Sequence, residues 1–277
     1  MNFQQKLEES IKKNNSLVCV GLDTDIAKIP KHLLGEEDSI FVFNKAIIDA
    51  THNLVSCYKT NIAFYLASHL DGLATLKKTV DYLKEQYPDI PLILDGKWAD
   101  ISNTSEAYAK AAFEVIRADA ITVNPYLGLD AIELFLNRKD KGVIIVCRTS
   151  NPGASEFQDL QIEGGELLYT YIAKKVINEW NANNNCMLVV GVTGFEEIGI
   201  LRRLTPDMFF LVPGVGAQGG DLKGILKHGL TKEKTGLLIH SARAIIYASS
   251  TENFAQKAQE EAERLREDIN KYRYEKS

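Results

Sequence analysis

The chain has 277 residues, 45% of them hydrophobic and 25% charged, and a formal net charge of −5 at neutral pH. That is ordinary for a water-soluble globular protein, and the length suffices to bury a core without staples. The acidic balance argues against a nucleic-acid binder, which needs a basic stripe, but leaves room for a local cationic pocket. The N-terminus lacks a signal-peptide apolar stretch and no run reaches the length of a membrane span, so a cytoplasmic protein is expected. Cys19, Cys57, Cys147 and Cys186 form no CxxC pair; free buried thiols are expected, with no disulfide framework or zinc site.

Eight short apolar runs follow one another along the chain. They are Leu17–Leu22, Asn61–Tyr65, Pro91–Asp95, Ala120–Val123, Gly142–Val146, Met187–Gly191, Met208–Val212 and Gly236–His240. They are rich in β-branched residues and nearly free of charge, the pattern of parallel strands covered on both faces. Helix-like stretches lie between them, among them 41–56, 70–86, 104–116 and 166–181, and a charged last helix covers about 253–272. Eight strand–helix pairs predict a single (β/α)8 TIM barrel domain over residues 1–277, with a short extra N-terminal helix. A doubly wound open sheet is the competing architecture.

A barrel of this kind carries its chemistry at the C-terminal strand ends. Asp23, Lys59, Asp95, Lys97, Asn124, Ser150, Pro213 and the segment 241–243 all fall there. Asp95 and Lys97 are two apart, so strand alternation would point both into the mouth, and Asp100 follows before the next helix. Two carboxylates around a lysine, with Lys59 as a second cation, can hold otherwise costly charges and fix an ammonium as a proton donor. The plainer reading is an ion-pair network closing the barrel end. The stretch Pro213–Asp221 contains four glycines, which let backbone N–H groups approach an anion, and Arg243 lies in the paired loop. Asn124 has no assigned role. The five histidines show no metal-ligand spacing.

Asp95-Gly96-Lys97-Trp98-Ala99-Asp100-Ile101-Ser102-Asn103-Thr104 resembles the D-x-K-x-x-D-I-x-N-T signature of orotidine 5'-phosphate decarboxylases. Val20–Asp23, Lys59–Tyr65, Thr149–Gly153 and Pro213–Asp221 are similar to other segments of that family, in its longer-chain bacterial branch. Thr60 stands where proline is common, and Leu66-Ala67 follow Tyr65 where an acidic residue often follows.

The resemblance implies loss of CO2 from orotidine 5'-phosphate (OMP) to give UMP in pyrimidine biosynthesis, without metal or cofactor. It implies Lys97 as the donor that protonates C6, with Asp95 beside the departing carboxylate and Lys59 holding Asp95 and contacting the ribose. Asp100 and Thr104 would act across a homodimer interface. Asp23 would bind the ribose hydroxyls and Ser150 the pyrimidine. Pro213, Gln218, Gly219, Ala242 and Arg243 would form the phosphate side of the pocket. Magnesium-dependent keto-sugar-phosphate decarboxylases and hexulose-phosphate synthases share D-x-K-x-x-D but carry an acidic ligand on the second strand, where Lys59 stands here. A non-catalytic nucleotide binder on the same barrel is the alternative from another class.

Overall fold

The computed structural model describes residues 1–191, 195–214 and 221–275. Eight parallel strands close into a barrel in sequential order. They are β1 (Val18–Gly21), β2 (Cys57–Asn61), β3 (Leu92–Trp98), β4 (Ala120–Val123), β5 (Gly142–Arg148), β6 (Cys186–Val190), β7 (Phe210–Pro213) and β8 (Leu237–Ser241). Nearly every strand residue is buried, because the barrel interior covers one face and the helices cover the other.

The second strand departs from expectation. The pattern of Asn61–Tyr65 predicts a strand, but β2 ends at Asn61 and Ile62–Ser68 is a helix. Asn61 causes the switch, since its side-chain oxygen accepts the Ala63 N–H at 3.1 Å and caps the helix. The true strand contains Lys59, a charge that disguises an otherwise buried segment. The expected helix 70–86 starts at Gly72, where the chain passes so close to the Tyr65 carbonyl that a Cβ would lie 1.7 Å from its oxygen. The expected helices 104–116 and 166–181 each end in a π-helical turn, Ala111–Val115 and Val176–Trp180.

The extra N-terminal helix is Phe3–Asn14, opened by a capping box in which Asn2 and Gln5 bond each other's backbone N–H. Its Phe3 ring covers Gly142 at the N-terminal end of the barrel, where a Cβ would lie 2.3 Å from the ring. Beside it, Asp119 takes Lys84 at 2.9 Å, Lys6 at 3.4 Å and the Leu92 N–H at 2.8 Å. This cluster ties two helices to the starts of two strands. All four cysteines are free and buried, and burial pushes the Cys147 and Cys186 thiols up to about 12. Among the described residues no helix is long and apolar enough to cross a membrane.

Candidate active site

At the opposite, C-terminal end, β1, β2 and β3 bring three charged side chains together. Lys59, on β2, lies 3.0 Å from Asp95 on β3 and 3.4 Å from Asp23 in the loop after β1. Asp23 also accepts the Asn61 N–H at 2.9 Å. Its loop is fixed by buried polar contacts: Thr24 donates to Asn44, Asn44 to the Tyr65 hydroxyl, and Tyr65 to the Leu22 carbonyl. Neighbouring Asp25, by contrast, caps a short 3-10 turn and pairs with Lys28.

Asp95 is the hub. Its Oδ2 accepts from Lys59, while its Oδ1 accepts from Lys97 at 2.6 Å and from the Thr122 hydroxyl at 2.8 Å. Burial alone would raise its pKa, but Lys59 and Lys97 outweigh burial and hold the carboxyl well below the usual range. Burial likewise disfavours the Lys59 ammonium, yet Asp23 and Asp95 raise its pKa above that of a free lysine. The hub carboxylate and its buried lysine are therefore charged at neutral pH.

Lys97 reaches Asp95 by a route that alternation does not predict. The β3–β4 register breaks between Leu94 and Trp98, and Lys97 sits at φ 49°, in the left-handed region. The two side chains meet through this turn. The preceding Gly96 is needed because a Cβ there would lie 2.9 Å from the Trp98 ring, which stacks on Tyr108 at 4.8 Å. The Lys97 side chain is 45% exposed, against 4% for Lys59, so one cation of the array faces the opening.

Asp100 and Thr104 make no hydrogen bond or ion pair to the array among the described residues. The Asp100 carboxylate accepts the Ile101 N–H at 2.7 Å and has no ion pair among the described residues. Thr104 is half-buried in the helix Ser102–Lys110, and neighbouring Ile101 is 69% exposed. Ser150 follows β5. Gln158 holds its neighbour Thr149 at both backbone N–H and hydroxyl, each at 2.8 Å, and Gly191 lets the loop pass so close that a Cβ would lie 2.4 Å from the Ser150 nitrogen.

Pro213 ends β7 beside His240 of β8, and Ala242 and Arg243 follow β8 directly. Arg243 is exposed with no side-chain partner among the described residues, so its guanidinium is open to an anion there. The helix after β7 is Leu222–Gly229. Asp221 caps its N-terminus, accepting the Gly224 N–H at 3.0 Å. Gln218 and Gly219 lie outside the described residues. Asn124 proves to be a cap, bonding the Tyr126 N–H at 3.1 Å.

Two further residues lie near the array. Thr122 lies within an apolar run and His240 ends one. Burial, reinforced by Lys59, drives His240 well below the ordinary histidine range, and its Nε2 has no partner among the described residues. A hydroxyl or imidazole in such a run gives no sequence signal of what it faces. Among the described residues no three His, Cys, Asp or Glu side chains group as metal ligands.

Comparison with known proteins reaches the whole barrel. The model of the orotidine 5'-phosphate decarboxylase / HUMPS family matches residues 16–258. An orotidine 5'-phosphate decarboxylase of Cellvibrio japonicus is 48% identical over 272 residues, 98% of each chain. One from Christiangramia forsetii is 51% identical over 264 residues, covering 94% of this chain and 95% of that one. Among solved structures, Leishmania donovani OMP decarboxylase superposes with a TM-score of 0.87 at 34% identity, covering all of both chains. The UMP synthase of the same organism gives 0.88 at 35% identity, covering this chain fully and 57% of its own.

Proposed function

This chain belongs to the orotidine 5'-phosphate decarboxylase / HUMPS family, and from that premise we propose that it converts OMP to UMP in pyrimidine biosynthesis. The observation that carries the reading is the Lys59–Asp95–Lys97 array at the barrel mouth, where one carboxylate holds a buried and an exposed ammonium. In the step proposed, the C6–carboxylate bond breaks, CO2 departs and its electron pair stays on C6. Lys97 delivers a proton there, and the neutral amine regains one from solvent. Asp95 sits beside the departing carboxylate and keeps Lys97 aimed. Lys59 holds Asp95 and reaches the ribose, whose hydroxyls also bond Asp23. Ser150 binds the pyrimidine. Arg243 grips the phosphate, with Pro213, Gln218, Gly219 and Ala242 completing that side. The catalytic principle is charge stabilisation by groups placed before the reaction starts.

The single domain acts as a cytoplasmic homodimer in this reading. The Asp100 carboxylate and Thr104 serve the neighbouring subunit's site, which fits the lack of any hydrogen bond or ion pair from them to their own array among the described residues and the exposed Ile101 between them. Lys59 weighs against the magnesium-dependent relatives, because its ammonium occupies the position from which a carboxylate would ligate the metal.

Purified protein with EDTA should turn OMP into UMP, followed by the loss of orotate absorbance. No turnover, or turnover only after Mg2+ is added, would end this reading. Mixing inactive Asp100→Ala with inactive Lys97→Ala chains should restore up to about a quarter of wild-type activity, since half the dimers are hybrids with one intact site. No recovery despite confirmed subunit exchange would remove Asp100 from the neighbour's site.

A further inference from the structure

Thr122 is 1% exposed on β4 and faces the proposed site from below. Its hydroxyl makes two bonds of opposite sense. It donates to Asp95 Oδ1 at 2.8 Å and accepts the Lys97 backbone N–H at 2.9 Å. That N–H needs an acceptor: the β3–β4 register is broken between Leu94 and Trp98, and among the described residues Lys97 has no paired residue on β4. The Asp95 oxygen that Thr122 bonds is also the one that receives the Lys97 ammonium. One hydroxyl thus touches both the backbone of Lys97 and the partner of its side chain.

We propose that Thr122 is a positioning residue for the reaction: it locks Lys97 in its left-handed backbone and, through Asp95, aims the ammonium at the reacting carbon. A hydroxyl can donate and accept at once; the valine of equal shape can do neither. A left-handed non-glycine backbone persists only where its surroundings hold it. Without the hydroxyl, Lys97 relaxes towards extended backbone, its Cα–Cβ direction turns, and the ammonium leaves its short contact with Asp95. Near-attack geometry is sensitive to such shifts, and the loss falls on the chemical step rather than on binding. Strand β2, on the other side of β3, supplies the internal control. Thr60 is fully buried on β2, but its hydroxyl has no partner among the described residues. It is shape without a bond.

The inference rests on Lys97 being the proton donor. Thr122→Val should lower kcat for OMP roughly 10- to 100-fold while KM and UMP affinity stay within about threefold. Thr122→Ser should recover kcat to within about threefold of wild type, and Thr60→Val should leave it unchanged. If Thr122→Val does not fold, Thr122→Ala against Thr122→Ser reads the same contrast. A crystal structure of the valine or alanine variant should show Lys97 out of the left-handed region. Wild-type rate in Thr122→Val, an equal loss in the serine variant, a loss confined to KM, or lowered kcat with Lys97 still at its original φ would each overturn the proposal. A wild-type chain without turnover ends the functional reading and this inference with it. An active wild type with an unimpaired valine variant ends this inference alone.

Discussion

The barrel carries the same charge motif at both ends. At the N-terminal end, Asp119 holds Lys84 and Lys6; at the C-terminal end, Asp95 holds Lys59 and Lys97. Both carboxylates are depressed in pKa against the opposing effect of burial. The difference lies in what the lysines are free to do. Lys84 and Lys6 are 13% and 15% exposed, lie on regular helices, and share their carboxylate with the first N–H of β3. Lys97 is 45% exposed on strained backbone and points to an opening. A carboxylate with two ammoniums is thus an enclosed clamp at one end and, in the proposed reading, a poised donor at the other. The separation matches the division of barrels into a stabilising and a reactive face.

The largest expected effect tests the reactive end. Lys97→Ala should lower kcat by at least about 10³-fold, as for loss of a general acid held in place, with UMP affinity retained to within about tenfold. Isothermal titration alongside the OMP assay reads both quantities, and near-normal turnover would erase the contrast between the ends. The clamp should behave in the opposite way. Asp119→Asn should cost about 2–3 kcal/mol in urea unfolding, with kcat/KM within about threefold of wild type. A large activity loss with full stability would make the N-terminal cluster functional after all.

Acid sharpens that result. The folded pKa of Asp119 lies below its unfolded value, so its contribution is fully present above the unfolded value and fades as pH falls through the folded one. The stability gap between wild type and Asp119→Asn should stay constant from about pH 8 to 5 and shrink below about pH 4. A gap that held its size in acid would mean that Asp119 is not the anchor. The smallest effect is Asn2→Ala, which removes half the capping box and should cost about 1 kcal/mol by thermal or urea melt, with activity untouched.

How far the sequence speaks depends on how local the cause is. Eight apolar runs announced the barrel because parallel strands covered on both faces carry that pattern. The second strand is hard to place from sequence because Lys59 interrupts it, while Ile62–Tyr65 looks strand-like but starts a helix under the Asn61 cap. Asp95, Lys97 and Lys59 were legible as charged residues at strand ends. The means by which Lys97 meets Asp95 was not, since a register break and a left-handed φ arise from pairing with β4. Thr122 was hidden for the same reason: in Ala120–Val123 a threonine looks like any β-branched strand former. Asp221, at the end of the glycine-rich stretch, caps the following helix, a role that its place in the loop does not reveal.

The four buried thiols make the protein its own clock. With their thiolates suppressed by burial, Cys147 and Cys186 should react with a maleimide only when the chain opens around them. Cys147 lies near the mouth end of β5, and Cys186 starts β6 beside the clamp end. The order in which mass spectrometry finds them alkylated therefore reports which rim of the barrel frays first, with no probe added to the sequence.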